Sequence, residues 1–139
     1  MTKADGTISI EDIRDRLSPL LKDEGLQLIL LFGSAVTGKM HKRSDIDIAF
    51  LFGRPVDILT LTNKIIRLLH TNNIDVIDLK HASPLLKFSI VKNGTLIYEK
   101  EQGIFNELYS LAFRRYIDTR KMRIAQEKAI KHFLYARGM

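Results

Sequence analysis

Five consecutive apolar residues, Leu28 to Phe32, stop abruptly at Gly33-Ser34. A short continuous apolar run bounded by a turn signal predicts a strand buried on both faces. After ten intervening residues beyond Ser34 the pattern changes to alternation, Asp45-Ile46-Asp47-Ile48-Ala49-Phe50. An extended chain sends alternate side chains to opposite faces, so Asp45 and Asp47 project together and Ile46 and Ile48 project the other way. Upstream, Ile10, Ile13, Leu17, Leu20 and Leu21 recur at helical spacing between Thr7 and Lys22, with Ser9 and Asp12 placed for a capping-box-like start. Pro19 predicts a break or kink in that helix, and Gly25 ends the segment.

Downstream, Gly53-Arg54-Pro55 punctuates the chain, and Pro55 suits a first helical turn. Ile58, Leu61, Ile65, Leu68 and Leu69 then form the apolar stripe of a packing helix, with His70 at its end as a dipole partner or solvated group. Asn72-Asn73 interrupts it, and Ile74-Asp75-Val76-Ile77-Asp78-Leu79 has the β-branched richness of a third strand. Strand, helix and strand in succession predict a parallel crossover unit. Ser83-Pro84 reads as N-cap and first position of a helix from Leu85 to about Lys92, stopped by Asn93-Gly94. Thr95 to Glu99 is a fourth strand, expected at a sheet edge. From Glu101 onward, Ile104, Leu108, Leu111, Ala112, Tyr116, Ile117, Ile124, Ala129 and Phe133 predict one long helix, or two joined between Asp118 and Lys121. His132 and Tyr135 read as packing or solvated groups.

A chain of 139 residues predicts one domain, with a core over about 8–99 and a helical extension over about 101–137. No cysteine is present, which excludes disulfides and thiolate metal sites. Neither a signal-peptide h-region nor a membrane span is visible, so a cytoplasmic protein without membrane contact is expected. The net charge of +6 is concentrated in the last forty residues, where nine Lys/Arg face four acids. Such a segment meets solvent or an acidic protein partner before it meets nucleic acid, and direct nucleic-acid binding is not expected.

The candidate chemistry lies between residues 31 and 50. Gly33 gives permissive torsions and close backbone approach, and Ser34 opens a short predicted helix, Ala35-Val36-Thr37, closed by Gly38; its free N–H groups would attract phosphate. Two convergent carboxylates repel one another unless a cation is bound, and hard oxygen ligands favour Mg²⁺, whose octahedron is usually completed by phosphates and water. Arg43, with Lys39 and Lys42, is placed to neutralise a triphosphate; Ser44 is placed to orient the Asp45 loop. Alone, Gly-Ser is a common turn and Asp-x-Asp a solvated strand end. Their ordered combination with two strands points to a metal–nucleotide site. In a regular strand Asp75 and Asp78 face opposite ways, so at most one joins Asp45 and Asp47, and periodicity does not choose between them.

Gly33-Ser34 followed by Asp45 and Asp47 resembles the signature of the DNA polymerase β-like nucleotidyltransferase superfamily, in particular its minimal branch of antitoxins. The resemblance extends over residues 8–99 and includes the final strand ending in Tyr98-Glu99. It implies an α/β (α+β) fold with a small mixed sheet flanked by helices. It also implies Asp75, in the context Ile74-Asp75-Val76, as the third metal-site carboxylate, leaving Asp78 as a strand-end hydrogen-bonding group. Two Mg²⁺ ions held by Asp45, Asp47 and Asp75, with Gly33, Ser34, Arg43 and Ser44 at the nucleotide, are expected on that basis. The implied activity is transfer of AMP from ATP to a tyrosine of a HepT-like HEPN toxin, silencing its ribonuclease. Transfer to a small-molecule hydroxyl, or neutralisation by contact alone, are the alternatives.

Overall fold

The computed structural model describes residues 8–33, 46–136 and 138. Helix α1 (Ile10–Arg16) starts where predicted, with the Ser9 hydroxyl accepting the Asp12 N–H at 3.1 Å. It ends three residues before Pro19, because a proline disfavours helical torsions in the residue ahead of it. Ser18–Lys22 continues as a 3₁₀ turn with Pro19 in its first positions. The helix predicted with a break or kink at Pro19 is thus an α-helix followed by a tighter turn, both contributing to the core through Ile13, Leu17 and Leu20.

Strand β1 (Leu26–Phe32) is central and buried on both faces. It pairs antiparallel with β2 (Ile46–Phe52) on one side and with β4 (Thr95–Glu99) on the other. Strand β3 (Ile74–Asp78) runs parallel to β2, giving a mixed sheet of order β3-β2-β1-β4. The crossover from β2 through α2 (Ile58–Leu69) to β3 is the predicted parallel unit, and β4 is an edge as expected. One sheet face carries Ile29, Leu31, Ile48 and Phe50 against α1 and α2. The other carries Leu28, Leu30 and Ala49 against α3 (Pro84–Asn93) and α4 (Ile104–Ala136).

One local expectation is revised. Pro55 does not open α2: the helix begins at Ile58, because the Asp57 carboxylate caps it, accepting the Leu59 N–H at 3.1 Å and the Thr60 hydroxyl at 2.7 Å. The Thr60 hydroxyl is the main cause that holds the Asp57 pKa below the usual carboxylate value. His70 closes the same helix in the left-handed region, φ 57°, its N–H bonded to the Ile66 carbonyl at 2.9 Å. The Leu69 carbonyl accepts a bond from Arg16 at 3.1 Å, which ties α2 to α1.

Gly94, between α3 and β4, is required by space and not by torsion. Its φ of −78° suits any residue, but a Cβ there would lie 2.6 Å from the Ile90 carbonyl oxygen and 3.0 Å from that of Leu31. Both obstacles are backbone, so the turn cannot yield cheaply. Gly94→Ala should therefore lower stability by about 1–3 kcal/mol, read as a lower urea midpoint at unchanged slope. A midpoint equal to the parent's would show that the turn relaxes freely.

Helix α4 is a single helix of 33 residues, about 50 Å long, without a joint at 118–121. Only Leu108 and Ala112 are buried. Its first half is held by aromatic packing on α3, where Phe88 stacks on Tyr116 with ring centroids 4.6 Å apart and meets Phe113 at 5.7 Å.

Candidate active site

The site forms at the end of the sheet where β1 finishes and β2 and β3 begin. Phe32 is opposite Asp47 across β1 and β2, and Asp47 is the direct neighbour of Asp75 across β2 and β3. The Ile46 N–H donates to the Asn73 carbonyl at 2.7 Å, which locks the two strand starts in step. Registered neighbours in a parallel pair present their side chains on one face, about 4.8 Å apart at the backbone. Asp47 and Asp75 therefore stand side by side, the first half-buried and the second exposed.

Gly33 completes this arrangement. It ends β1 with φ +73°, and a Cβ at that position would lie 2.2 Å from Asp47 Oδ2. The missing side chain is what lets the turn approach the carboxylate. The volume beside Oδ2 belongs to the glycine's bare backbone, where a ligand oxygen can also come close.

Asp78 has other work. Its Oδ1 accepts the Lys80 N–H at 3.1 Å and its Oδ2 pairs with His81 Nδ1 at 2.7 Å, capping the 3₁₀ turn Leu79–His81 that follows β3. By register it stands opposite Phe50, three positions from Asp75. Ser34, Arg43, Ser44 and Asp45, together with the predicted Ala35–Thr37 turn, Lys39 and Lys42, lie outside the described residues. Among the described residues no group of three His, Asp or Glu side chains converges as a metal site. The pair Asp47 and Asp75 does suit a hard cation: two carboxylates forced into adjacency offer oxygen ligands, and a divalent ion relieves their repulsion.

Sequence reasoning gave no sign of Lys87, a residue of α3 that is only 7% exposed. Burial lowers its pKa, the Arg115 charge lowers it further, and Asp78 pulls it back. A cleft of about 290 Å³, floored by Phe52, Val56 and Leu61, lies at the other end of β2, roughly 17 Å along the strand from Asp47. Arg54 closes over it, paired with Asp23 and seated on the Phe52 ring at 5.5 Å from its centroid.

Registered acids on β2 and β3 and a left-handed glycine at the end of β1 thus meet at one end of the sheet. The chain belongs to the polymerase beta nucleotidyltransferase family, whose model matches residues 15–103. It is a nucleotidyltransferase. Among curated proteins it is similar to the protein adenylyltransferase MntA of Shewanella oneidensis, 34% identical over 70% of this chain and 71% of that one. The MntA of Aphanizomenon flos-aquae is 24% identical over 94% and 96%. Among solved structures, a toxin–antitoxin complex with AMP-PNP aligns with a TM-score of 0.75 at 28% identity, covering 89% of this chain and 99% of that chain. A tri-AMPylated Shewanella oneidensis HEPN toxin in complex with its MNT antitoxin aligns with a TM-score of 0.71 at 25% identity, covering 88% and 98%. Among the described residues no helix is long and apolar enough to cross a membrane.

Proposed function

We propose that this protein is an antitoxin that transfers AMP from ATP to a tyrosine hydroxyl of a HepT-like HEPN toxin, acting in the cytoplasm as a single nucleotidyltransferase domain. The observation that carries the reading is the registered pair Asp47 and Asp75 beside Gly33, in a chain similar over most of its length to MntA adenylyltransferases. In the reaction the tyrosine oxygen attacks the α-phosphorus of ATP. A new P–O bond forms, the bond to the β-phosphate breaks, pyrophosphate leaves, and the hydroxyl proton passes to the Asp75 carboxylate. Asp47 and Asp75, joined by Asp45 from the same strand pattern, are the residues that would hold Mg²⁺, two ions in this reading. Bound Mg²⁺ supplies neutralisation of the charge that builds on the phosphate oxygens. The Gly33-Ser34 turn admits the phosphates to its backbone, with Arg43 as a counter-charge and Ser44 orienting the Asp45 loop.

Incubation of the protein with Mg²⁺, ATP labelled at the α-phosphate and a purified HEPN-type toxin is expected to label one or more toxin tyrosines and to suppress toxin ribonuclease activity. A toxin that is bound and silenced without acquiring label would replace this reading with neutralisation by contact.

A further inference from the structure

The cleft at the far end of β2 joins an apolar floor to a charged rim. Phe52 and Leu61, both buried, and the half-buried Val56 make the floor. The volume of about 290 Å³ lies at the lower end of the range for small-ligand pockets, roughly 300–1,000 Å³. One part of the lining is a face of α2, where Thr60, Leu61 and Lys64 are spaced 0, 1 and 4, one turn beyond the N-cap Asp57. Arg54 adds a planar cation to the rim. Its guanidinium pairs with Asp23, donates to the Pro55 carbonyl at 3.4 Å and lies over the Phe52 ring. Gly25 makes room for that pose, since a Cβ there would lie 2.7 Å from Arg54 Nε.

We propose that this cleft binds a small arylalkyl carboxylate, its ring on the apolar floor and its carboxylate taken by Arg54 and Lys64. Hydrogen bonding selects the head group. Both acids of the rim are already engaged: Asp23 accepts the Gly25 N–H at 2.8 Å and holds Arg54, and Asp57 accepts the Leu59 N–H at 3.1 Å and the Thr60 hydroxyl at 2.7 Å. A guanidinium has five N–H donors, more than Asp23 and Pro55 use, and the Lys64 ammonium brings three more, so the rim's surplus is in donors. Two acids and two bases leave it neutral overall, which suits a singly charged carboxylate better than a doubly charged phosphate. The body follows from size and shape. At about 30 Å³ for each water-sized group the cleft holds on the order of ten of them. The Phe52 ring stacks on Phe50 with centroids 6.1 Å apart and carries the Arg54 cation, a setting that a further aromatic ring extends. The site is separate from the paired acids, roughly 17 Å along β2 from Asp47, and does not depend on the proposed function.

The test titrates hydrocinnamate, a phenyl ring on a three-carbon acid, into the full chain and follows amide NMR shifts and calorimetry. Saturable binding with a Kd below about 1 mM is expected for a ligand of this size. The largest shifts should fall at Phe52, Arg54, Thr60 and Lys64. Hydrocinnamamide, the neutral counterpart, should bind about tenfold more weakly or worse, the worth of one charge-assisted hydrogen bond. Two variants leave the paired acids untouched. Lys64→Glu, at an exposed helix position, should raise the Kd by about tenfold or more, and Lys64→Arg should restore it to within a few-fold. Val56→Trp should fill the floor and abolish saturation, with the urea midpoint reporting its folding; if it does not fold, Lys64→Glu decides alone. No saturation by the parent, equal affinity for acid and amide, or largest shifts away from the cleft would overturn the proposal. So would parent-like affinity in Lys64→Glu, or a parent dimer in sedimentation that Val56→Trp dissolves, which would make the cleft an interface between copies. AMP transfer is no part of the readout, so failure of the functional reading leaves this test intact.

Discussion

Asp47→Asn should abolish AMP transfer, lowering kcat by on the order of 10³ or more, and Asp75→Asn should do the same without unfolding the protein. The magnitude follows from the role proposed for the pair: metal-centred neutralisation of phosphate charge would be worth several kcal/mol in the transition state, and each 1.4 kcal/mol is a factor of ten. Stability should move the other way. The two carboxylates are held in adjacent, registered strands, so replacing one by a neutral amide removes like-charge repulsion. The thermal midpoint of Asp75→Asn in metal-free buffer should match or exceed the parent's. With Mg²⁺ and a non-hydrolysable ATP analogue the parent should gain several degrees by linkage and the variants should not. Asp78→Asn is the control, since its carboxylate caps the turn after β3 and pairs with His81. It should retain transfer within a few-fold of the parent. Full activity in Asp75→Asn together with loss in Asp78→Asn would assign the third carboxylate to the other residue.

Gly33→Ala is the second large effect, and it separates close approach from chemistry. At φ +73° an L side chain costs about 1–2 kcal/mol, and here the added methyl would also meet Asp47 Oδ2 at 2.2 Å. Something must shift, and the nearest movable group is the Asp47 carboxylate. A displacement near 1 Å at a reacting centre costs roughly 10²-fold in rate, so kcat should fall by about that factor and the urea midpoint should drop as well. Single-turnover measurements at saturating ATP separate this from weaker nucleotide binding. A variant that loses stability and keeps the parent's kcat would show that the methyl is accommodated by the backbone and that Asp47 does not move.

Much of this molecule is readable in one dimension because the signals are local. The Ser9 and Ser83 caps, the parallel crossover and the edge position of β4 follow from side-chain periodicity and from groups within a few residues of one another. The start of α2 was misread from Pro55 because two capping signals compete there. Asp57 prevails through its own hydrogen bonds to Leu59 and Thr60. Lys87 was invisible because nothing in its sequence neighbourhood distinguishes a covered lysine from a solvated one. Its surroundings are tertiary: the charges it feels, Asp78 and Arg115, come from well before and well after it in the chain.

By its sequence alone this protein was committed to a buried strand ending in a glycine turn, and to alternating acids at the start of the next, because both patterns follow from the two-residue period of an extended chain. Whether Asp75 or Asp78 would stand beside Asp47 lay beyond that period. It was decided when β3 docked in parallel on β2 with the Ile46 N–H on the Asn73 carbonyl, since one residue of slip would have turned the other face forward. The tertiary structure likewise decided that α4 would bury only Leu108 and Ala112, both in its first turns, and leave the stretch from Arg120 largely exposed among the described residues. Apolar spacing continues along the whole helix, while the sheet and α3 beneath it are too short to cover it.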